Sequence, residues 1–123
     1  MKALVLLGHG ARDPVWAEAL ERVRAALLDA CPEATVELAF LEFMSPTLSE
    51  AVDALAARGA TRVDIVPVFL ARGGHMQRDL PVLLDELRRR HPGCELRLAP
   101  VAGEAPGVIA AIAAHAAAQA RLD

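Results

Sequence analysis

Two stretches of this chain share one local plan, and that plan restricts the fold more than any other feature. The apolar, β-branched run Val63-Asp64-Ile65-Val66-Pro67-Val68 empties into Arg72-Gly73-Gly74-His75, after which a helical pattern begins. Such a run, closed by glycines, reads as a buried strand passing through a loop into a helix. The same arrangement occurs near the N-terminus, where Ala3 to Leu7 leads into Gly8-His9-Gly10-Ala11-Arg12-Asp13. Both loops spell Gly-His-x-x-Arg-Asp, about half the chain apart. Each histidine therefore stands at a strand's carboxyl end, the edge where parallel α/β sheets bind ligands.

The rest of the chain continues the alternation. Asp13-Pro14 offers an N-cap and a first helical residue, and Trp16, Leu20, Val23 and Leu27 recur at helical spacing as an inward stripe that Pro32 closes. Thr35 to Phe40 reads as a second strand, followed by the loop Leu41 to Pro46. Thr47 and Glu50 have capping-box spacing, with Ser45-Pro46 as a competing start. Leu48, Val52 and Leu55 form that helix's inner face, and Gly59 suits its C-cap. Arg62 to Val68 is the third strand. The next helix turns Leu80, Leu83, Leu84 and Leu87 inward and ends in Arg88-Arg89-Arg90-His91, a solvated basic end that complements its dipole. Glu95 to Leu98 is a short fourth strand, and Pro106 to Leu122 an Ala-rich closing helix carrying His115 as a surface or packing residue. This βαβαβαβα order predicts a single α/β domain over residues 1–123. It would be a flavodoxin-like four-stranded parallel sheet with helices on both faces and right-handed crossovers. With strand order 2-1-3-4, His9 and His75 would face each other across one cleft.

Composition narrows the function. Of 123 residues, 54% are hydrophobic, so a packed core is expected rather than disorder. No apolar run reaches the roughly 20 residues of a membrane span, and the N-terminus lacks an export pattern, so a cytoplasmic protein without membrane contact is expected. Cys31 and Cys94 lack metal-site spacing and are expected to be reduced and buried. A net charge of -3, with one Trp, three Phe and no Tyr, argues against a nucleic-acid partner.

Neutral imidazoles ligate divalent transition metals and accept protons near neutral pH. Glu42, leaving the second strand, would place a carboxylate on the same edge as a ligand or base. Arg12, Arg72 and Arg78 surround the histidines and point to a ligand bearing carboxylates or phosphates. Gly8, Gly10, Gly73 and Gly74 permit tight turns, and the strand-to-helix setting also suits an anion at a helix N-terminus. Neither loop is a nucleotide-binding fingerprint, and Ser45 and Ser49 lie in no nucleophile elbow.

These residues carry a family resemblance. Leu7-Gly8-His9-Gly10-Ala11-Arg12-Asp13-Pro14, Phe40-Leu41-Glu42 with Pro46 and Leu48, and Val66 to His75 with Asp79-Leu80-Pro81 resemble the CbiX/SirB-type class II chelatases. The resemblance implies ATP-independent insertion of a divalent metal into sirohydrochlorin, on the way to cobalamin or sirohaem. It places the metal-site and catalytic histidines at His9 and His75, with Glu42 assisting. Arg12, Arg72, Arg78 and Gly74 would meet the tetrapyrrole. No prosthetic group is implied: the metal is a substrate, Co²⁺ or Fe²⁺ with Ni²⁺ behind them. Ala11 stands where many members carry Ser. A single-domain short form is expected to work as a homodimer. A non-catalytic metal or tetrapyrrole carrier would use the same residues, and a structural module with an empty cleft is the third reading.

Overall fold

The computed structural model describes residues 1–122, and of His75 and Gln77 the backbone alone. Strands and helices alternate as β1 (Lys2–Gly8), α1 (Val15–Ala30), β2 (Val36–Phe40), α2 (Leu48–Ala57), β3 (Arg62–Pro67), α3 (Gly74–Arg90), β4 (Glu95–Leu98), a 3-10 turn (Ala102–Glu104) and α4 (Pro106–Gln119). The strands form one four-stranded sheet in the expected order β2-β1-β3-β4. Every neighbouring pair is parallel, because each intervening helix carries the chain back to the starting edge. In register, Gly8 lies opposite Phe40 and Leu7 opposite Pro67. The exits of β2, β1 and β3 therefore stand side by side, and this sets the position of the site.

Strand alternation divides the core into two layers. On one face Val5, Leu7, Val63, Ile65 and Leu96 meet α2 through Leu48, Val52 and Leu55, and α3 through Leu80, Leu84 and Leu87. On the other, Leu6, Val36, Leu38 and Phe40 pack against Leu20 of α1. Helix α2 starts at Thr47 with a complete capping box: the Glu50 N–H donates to Thr47 Oγ1 (3.2 Å) and the Thr47 N–H to Glu50 Oε1 (2.9 Å). That reciprocal pair decides against a start at Ser45-Pro46. Asp13 is not the N-cap of α1 as expected, although its Oδ1 accepts the Val15 N–H at 3.0 Å just ahead of the helix. Pro14 takes the N-cap position itself, so the helix begins one residue later than the sequence implies. Conversely, α3 begins at Gly74 and takes His75 into its first turn.

The basic end of α3 is partly engaged. Arg88 donates to Asp85 (3.3 Å) and to the Leu96 carbonyl (3.0 Å), while Arg90 and His91 both reach Asp53 of α2. The hydrogen bond from His91 is the largest influence on the Asp53 carboxyl, and together with the Arg90 guanidinium it holds the group below its ordinary value although burial pushes the other way. These contacts brace α2 against α3 at the sheet edge opposite the histidine loops.

Two expectations are corrected. Trp16 (65% exposed) and Val23 (43%) do not face the sheet, and Leu20 is the one buried residue of α1. At 100° per residue the buried arc is centred between Leu20 and Leu28, with Ala17 and Arg24 inside it, and Arg24 Nε donates to the Val36 carbonyl at 2.8 Å. Trp16 and Val23 lie together beyond one side of that arc. Cys31 is exposed because it caps the end of α1, whereas Cys94 is buried as expected, which pushes its thiol up; both are free. Helix α4 packs against the 3-10 turn before it, and no residue of it is buried. The sheet is thus covered by α2 and α3 on one face and by α1 on the other. No helix of the described residues is long and apolar enough to cross a membrane.

Candidate active site

The sheet ladder extends past the strand ends and draws the exit loops together. The Leu41 N–H donates to the Gly8 carbonyl (3.1 Å), the Glu42 N–H to the His9 carbonyl (3.1 Å) and the Val68 N–H to the Leu7 carbonyl (2.8 Å). Packing this close leaves no side-chain space at Gly10, where a Cβ would lie 1.8 Å from the Glu42 carbonyl oxygen and φ is +87°. Glycine is required there on both counts.

His9 is exposed, yet its ring is held in place. It stacks on Phe69 with ring centroids 3.9 Å apart and planes 24° from parallel. Phe69 is itself only 6% exposed and belongs to the core. Aromatic stacking contributes about 0.5–1.5 kcal/mol beyond simple burial. The imidazole is therefore displayed on a rigid aromatic base.

A cleft of about 450 Å³ opens beside it. His9, Glu42, Gly74 and Asp79 are on its wall, over an apolar floor that includes Met76 and Leu80. His9 from β1, Glu42 from β2 and Gly74 from the start of α3 thus share one cavity, as their places in the sequence predict. The side chain of His75 lies outside the described residues; its backbone directly follows Gly74 in the first turn of α3. Among the described residues no three of His, Cys, Asp and Glu are placed to hold a metal ion.

The three arginines stand outside the cleft wall. Arg12 lies over the Phe43 ring, 4.8 Å from its centroid, and Phe43 is 58% exposed in the loop after β2. Arg72 donates through Nε to Glu104 at 3.2 Å, both side chains being about half exposed. Arg78 is exposed on α3, four residues beyond Gly74.

Two features escape sequence reading as site residues. Phe69 follows an apolar run and looks like core alone. Asp79 is visible within the repeated Gly-His-x-x-Arg-Asp pattern, but only the helical placement shows that it reaches the same cleft. An imidazole and two carboxylates around one cleft with an apolar floor can accept protons from a bound apolar ring. A second, apolar groove of about 530 Å³ lies on the other side of His9, lined by Trp16, Val23, Val68 and Leu70 among others.

Residues 3–119 match the CbiX family model. A sirohydrochlorin cobaltochelatase of Methanococcus aeolicus is 42% identical over 84 residues, 68% of this chain and 59% of the relative. The chain thus spans about three-fifths of that relative's length. Among solved structures, a cobalamin (vitamin B12) biosynthesis CbiX protein from Marinobacter aquaeolei VT8 superposes with a TM-score of 0.86 at 27% identity, covering 100% of both chains. The sirohydrochlorin chelatase SirB from Bacillus subtilis subspecies spizizenii, in complex with cobalt, superposes with a TM-score of 0.70 at 26% identity, covering 94% of this chain and 49% of that one.

Proposed function

This chain belongs to the CbiX family, and from that membership we propose that it inserts a divalent metal into sirohydrochlorin. The observation that carries the reading is the exposed His9 imidazole, stacked on Phe69 at the rim of a cleft that also receives Glu42 and Asp79. The activity named for the Methanococcus relative and the cobalt bound by SirB support it.

His9 and His75 hold the incoming ion through imidazole nitrogen. The ring lies across the cleft against the apolar floor and releases two pyrrole N–H protons as the ion enters. Charge balances, because one dication replaces two protons. Of the two protons one passes to a histidine once the ion has left it and the other to Glu42, and Asp79 is a second carboxylate on the same cleft wall. The ion site stays incomplete, so that the ion passes on to four ring nitrogens instead of remaining on the protein. Arg12, Arg72 and Arg78 meet the peripheral carboxylates, and Gly74 offers a backbone N–H at a helix start with no acidic residue in its first turn. Arg72 leaves Glu104 to do so, at a cost below about 1 kcal/mol for an exposed ion pair.

The metal is Co²⁺ or Fe²⁺, leading to cobalamin or sirohaem, and the setting is the cytoplasm. The protein works as a homodimer. Its match to about half of SirB supports that state. Anaerobic absorbance spectroscopy with protein at one-hundredth of the sirohydrochlorin concentration tests the reaction. Conversion of many equivalents above the protein-free rate is expected. A change that stops at one equivalent would identify a carrier and refute the enzyme.

A further inference from the structure

Phe43 occupies a place that packing does not explain. It follows Glu42 in the loop after β2, and its side chain is exposed. On either side of it the loop turns inward, with Leu41 packed against one core layer and Met44 against the other. The backbone is held as well: the Leu41 and Glu42 N–H groups donate to the Gly8 and His9 carbonyls, and the Phe40 N–H to the Pro46 carbonyl at 3.0 Å. Phe43 is therefore displayed from a fixed segment.

The backbone conformation at this point is unfavourable. Phe43 has φ +65°, in the left-handed region. A side chain disfavours that conformer by about tenfold, and a bulky residue is an outlier there. Among the described residues the one other non-glycine with positive φ is Arg121, just past the end of α4, where helices commonly close in this way. Glycine would suit position 43 better on conformational grounds, and an exposed ring gains too little from burial to offset the difference. An unfavourable conformation kept beside a cleft points to a use for the side chain.

That use is visible at Arg12. Its guanidinium carbon lies 4.8 Å from the centre of the Phe43 ring, within reach of a cation–π contact. Arg72, by contrast, has its charge paired with Glu104, whereas Arg12 has no ion pair among the described residues. A ring face leaves the guanidinium charge unneutralised and N–H donors open, so Arg12 stays ready for a carboxylate. The two loops that carry the pair meet where Gly10 packs on the Glu42 carbonyl, two residues from Arg12 and one from Phe43. The pair is thus fixed relative to the cleft that His9 and Glu42 line.

We infer that Phe43 is a positioning residue: its ring, presented by the left-handed backbone, holds the Arg12 guanidinium in place for a peripheral carboxylate of the tetrapyrrole. This rests on the sirohydrochlorin reading above and adds to it the residue that prepares the arginine. Without the ring, Arg12 has to order a long, rotamer-rich side chain on binding, which weakens affinity about fivefold.

Anaerobic titration of metal-free sirohydrochlorin, followed by quenching of Trp16, the single tryptophan, tests it. The proteins are wild type, Phe43→Gly, Phe43→Tyr, Arg12→Ala and the double variant Arg12→Ala with Phe43→Gly. Phe43→Gly removes the ring and relieves the backbone, so it should melt no more than about 2 °C below wild type, yet bind about fivefold more weakly. Phe43→Tyr keeps the ring face and should restore the affinity. In the Arg12→Ala background Phe43→Gly should cause no further loss, since the ring acts through the guanidinium. Proton NMR of the free protein reads the same contact without substrate: the Arg12 δ-methylene protons should be shifted upfield in wild type and return to ordinary values in Phe43→Gly. Unchanged affinity in Phe43→Gly would overturn the inference and leave sirohydrochlorin binding standing. A fivefold loss that persists in the absence of Arg12 would mean that the ring meets the substrate itself, and would overturn the positioning role. A wild type that binds no sirohydrochlorin would overturn the function proposed above and this role with it.

Discussion

Gly10→Ala probes the link between backbone geometry and chemistry most sharply. The added Cβ would stand 1.8 Å from the Glu42 carbonyl oxygen, against the 3.0 Å below which such contacts essentially never occur. The Glu42 loop must therefore retreat by more than an ångström, at a residue whose φ of +87° already disfavours a side chain. The conformational penalty is about 1–2 kcal/mol and the forced displacement about 1–3 kcal/mol. Melting should fall by on the order of 10 °C for a domain of this size. Because Glu42 is hydrogen-bonded to His9 through the backbone, the retreat opens the gap between the two side chains. A misplacement of about 1 Å is worth about 100-fold in rate. The assay is initial rate of cobalt insertion at a temperature where both proteins remain folded, alongside thermal melting. Gly93→Ala is the control, since nothing lies within 4 Å of its added Cβ. A Gly10→Ala protein that melts within 2 °C of wild type, roughly 0.5 kcal/mol, and reacts at a similar rate would refute the packed-loop account.

Three further perturbations separate positioning from stability. Phe69→Leu keeps most of the buried volume but removes the stack under His9, so stability should fall by about 1–2 kcal/mol; the insertion rate should fall further, about tenfold, than denaturation predicts. Thr47→Ala breaks the capping box of α2 and should cost about 1 kcal/mol in urea denaturation, with the rate constant unchanged at temperatures well below melting. Asp53→Asn concerns pH: a carboxyl whose folded value is lowered stabilises the fold above its ordinary value of 3.8 and loses that contribution as pH falls through the folded value. The variant should be less stable than wild type at neutral pH by well under 1 kcal/mol, since the Asp53 side chain is 45% exposed. The difference should shrink in denaturation curves taken at successively lower pH below 3.8, as the wild-type carboxyl takes up its proton.

The parallel alternation, the strand order and the placement of His9 and Glu42 on one edge were legible because each depends on local pattern: an apolar run, a glycine, a cap. Thr47 and Glu50 announce their capping box by spacing alone. What escaped depends on partners far along the chain. Arg72 looks free in sequence, yet Glu104, 32 residues on, holds it. His91 and Arg90 read as a solvated basic end, but Asp53 of α2 receives both. Periodicity marks Trp16, Leu20, Val23 and Leu27 as one stripe without saying which edge of it meets the sheet; packing rotates the helix so that Leu20 is buried and Trp16 is not. The closing helix left its place in the fold undetermined for another reason. Alanine on every side gives it no inner face, so its apolar composition resembles a packed helix although its own sheet leaves it uncovered.

The most direct test of metal insertion centred on the histidines is turnover and sirohydrochlorin binding measured together on wild type, His9→Ala and His75→Ala. Anaerobic Co²⁺ insertion should fall at least about 100-fold in both variants, while each still binds sirohydrochlorin with affinity near that of wild type, because the arginines and apolar floor remain. Full turnover in either variant would contradict the account.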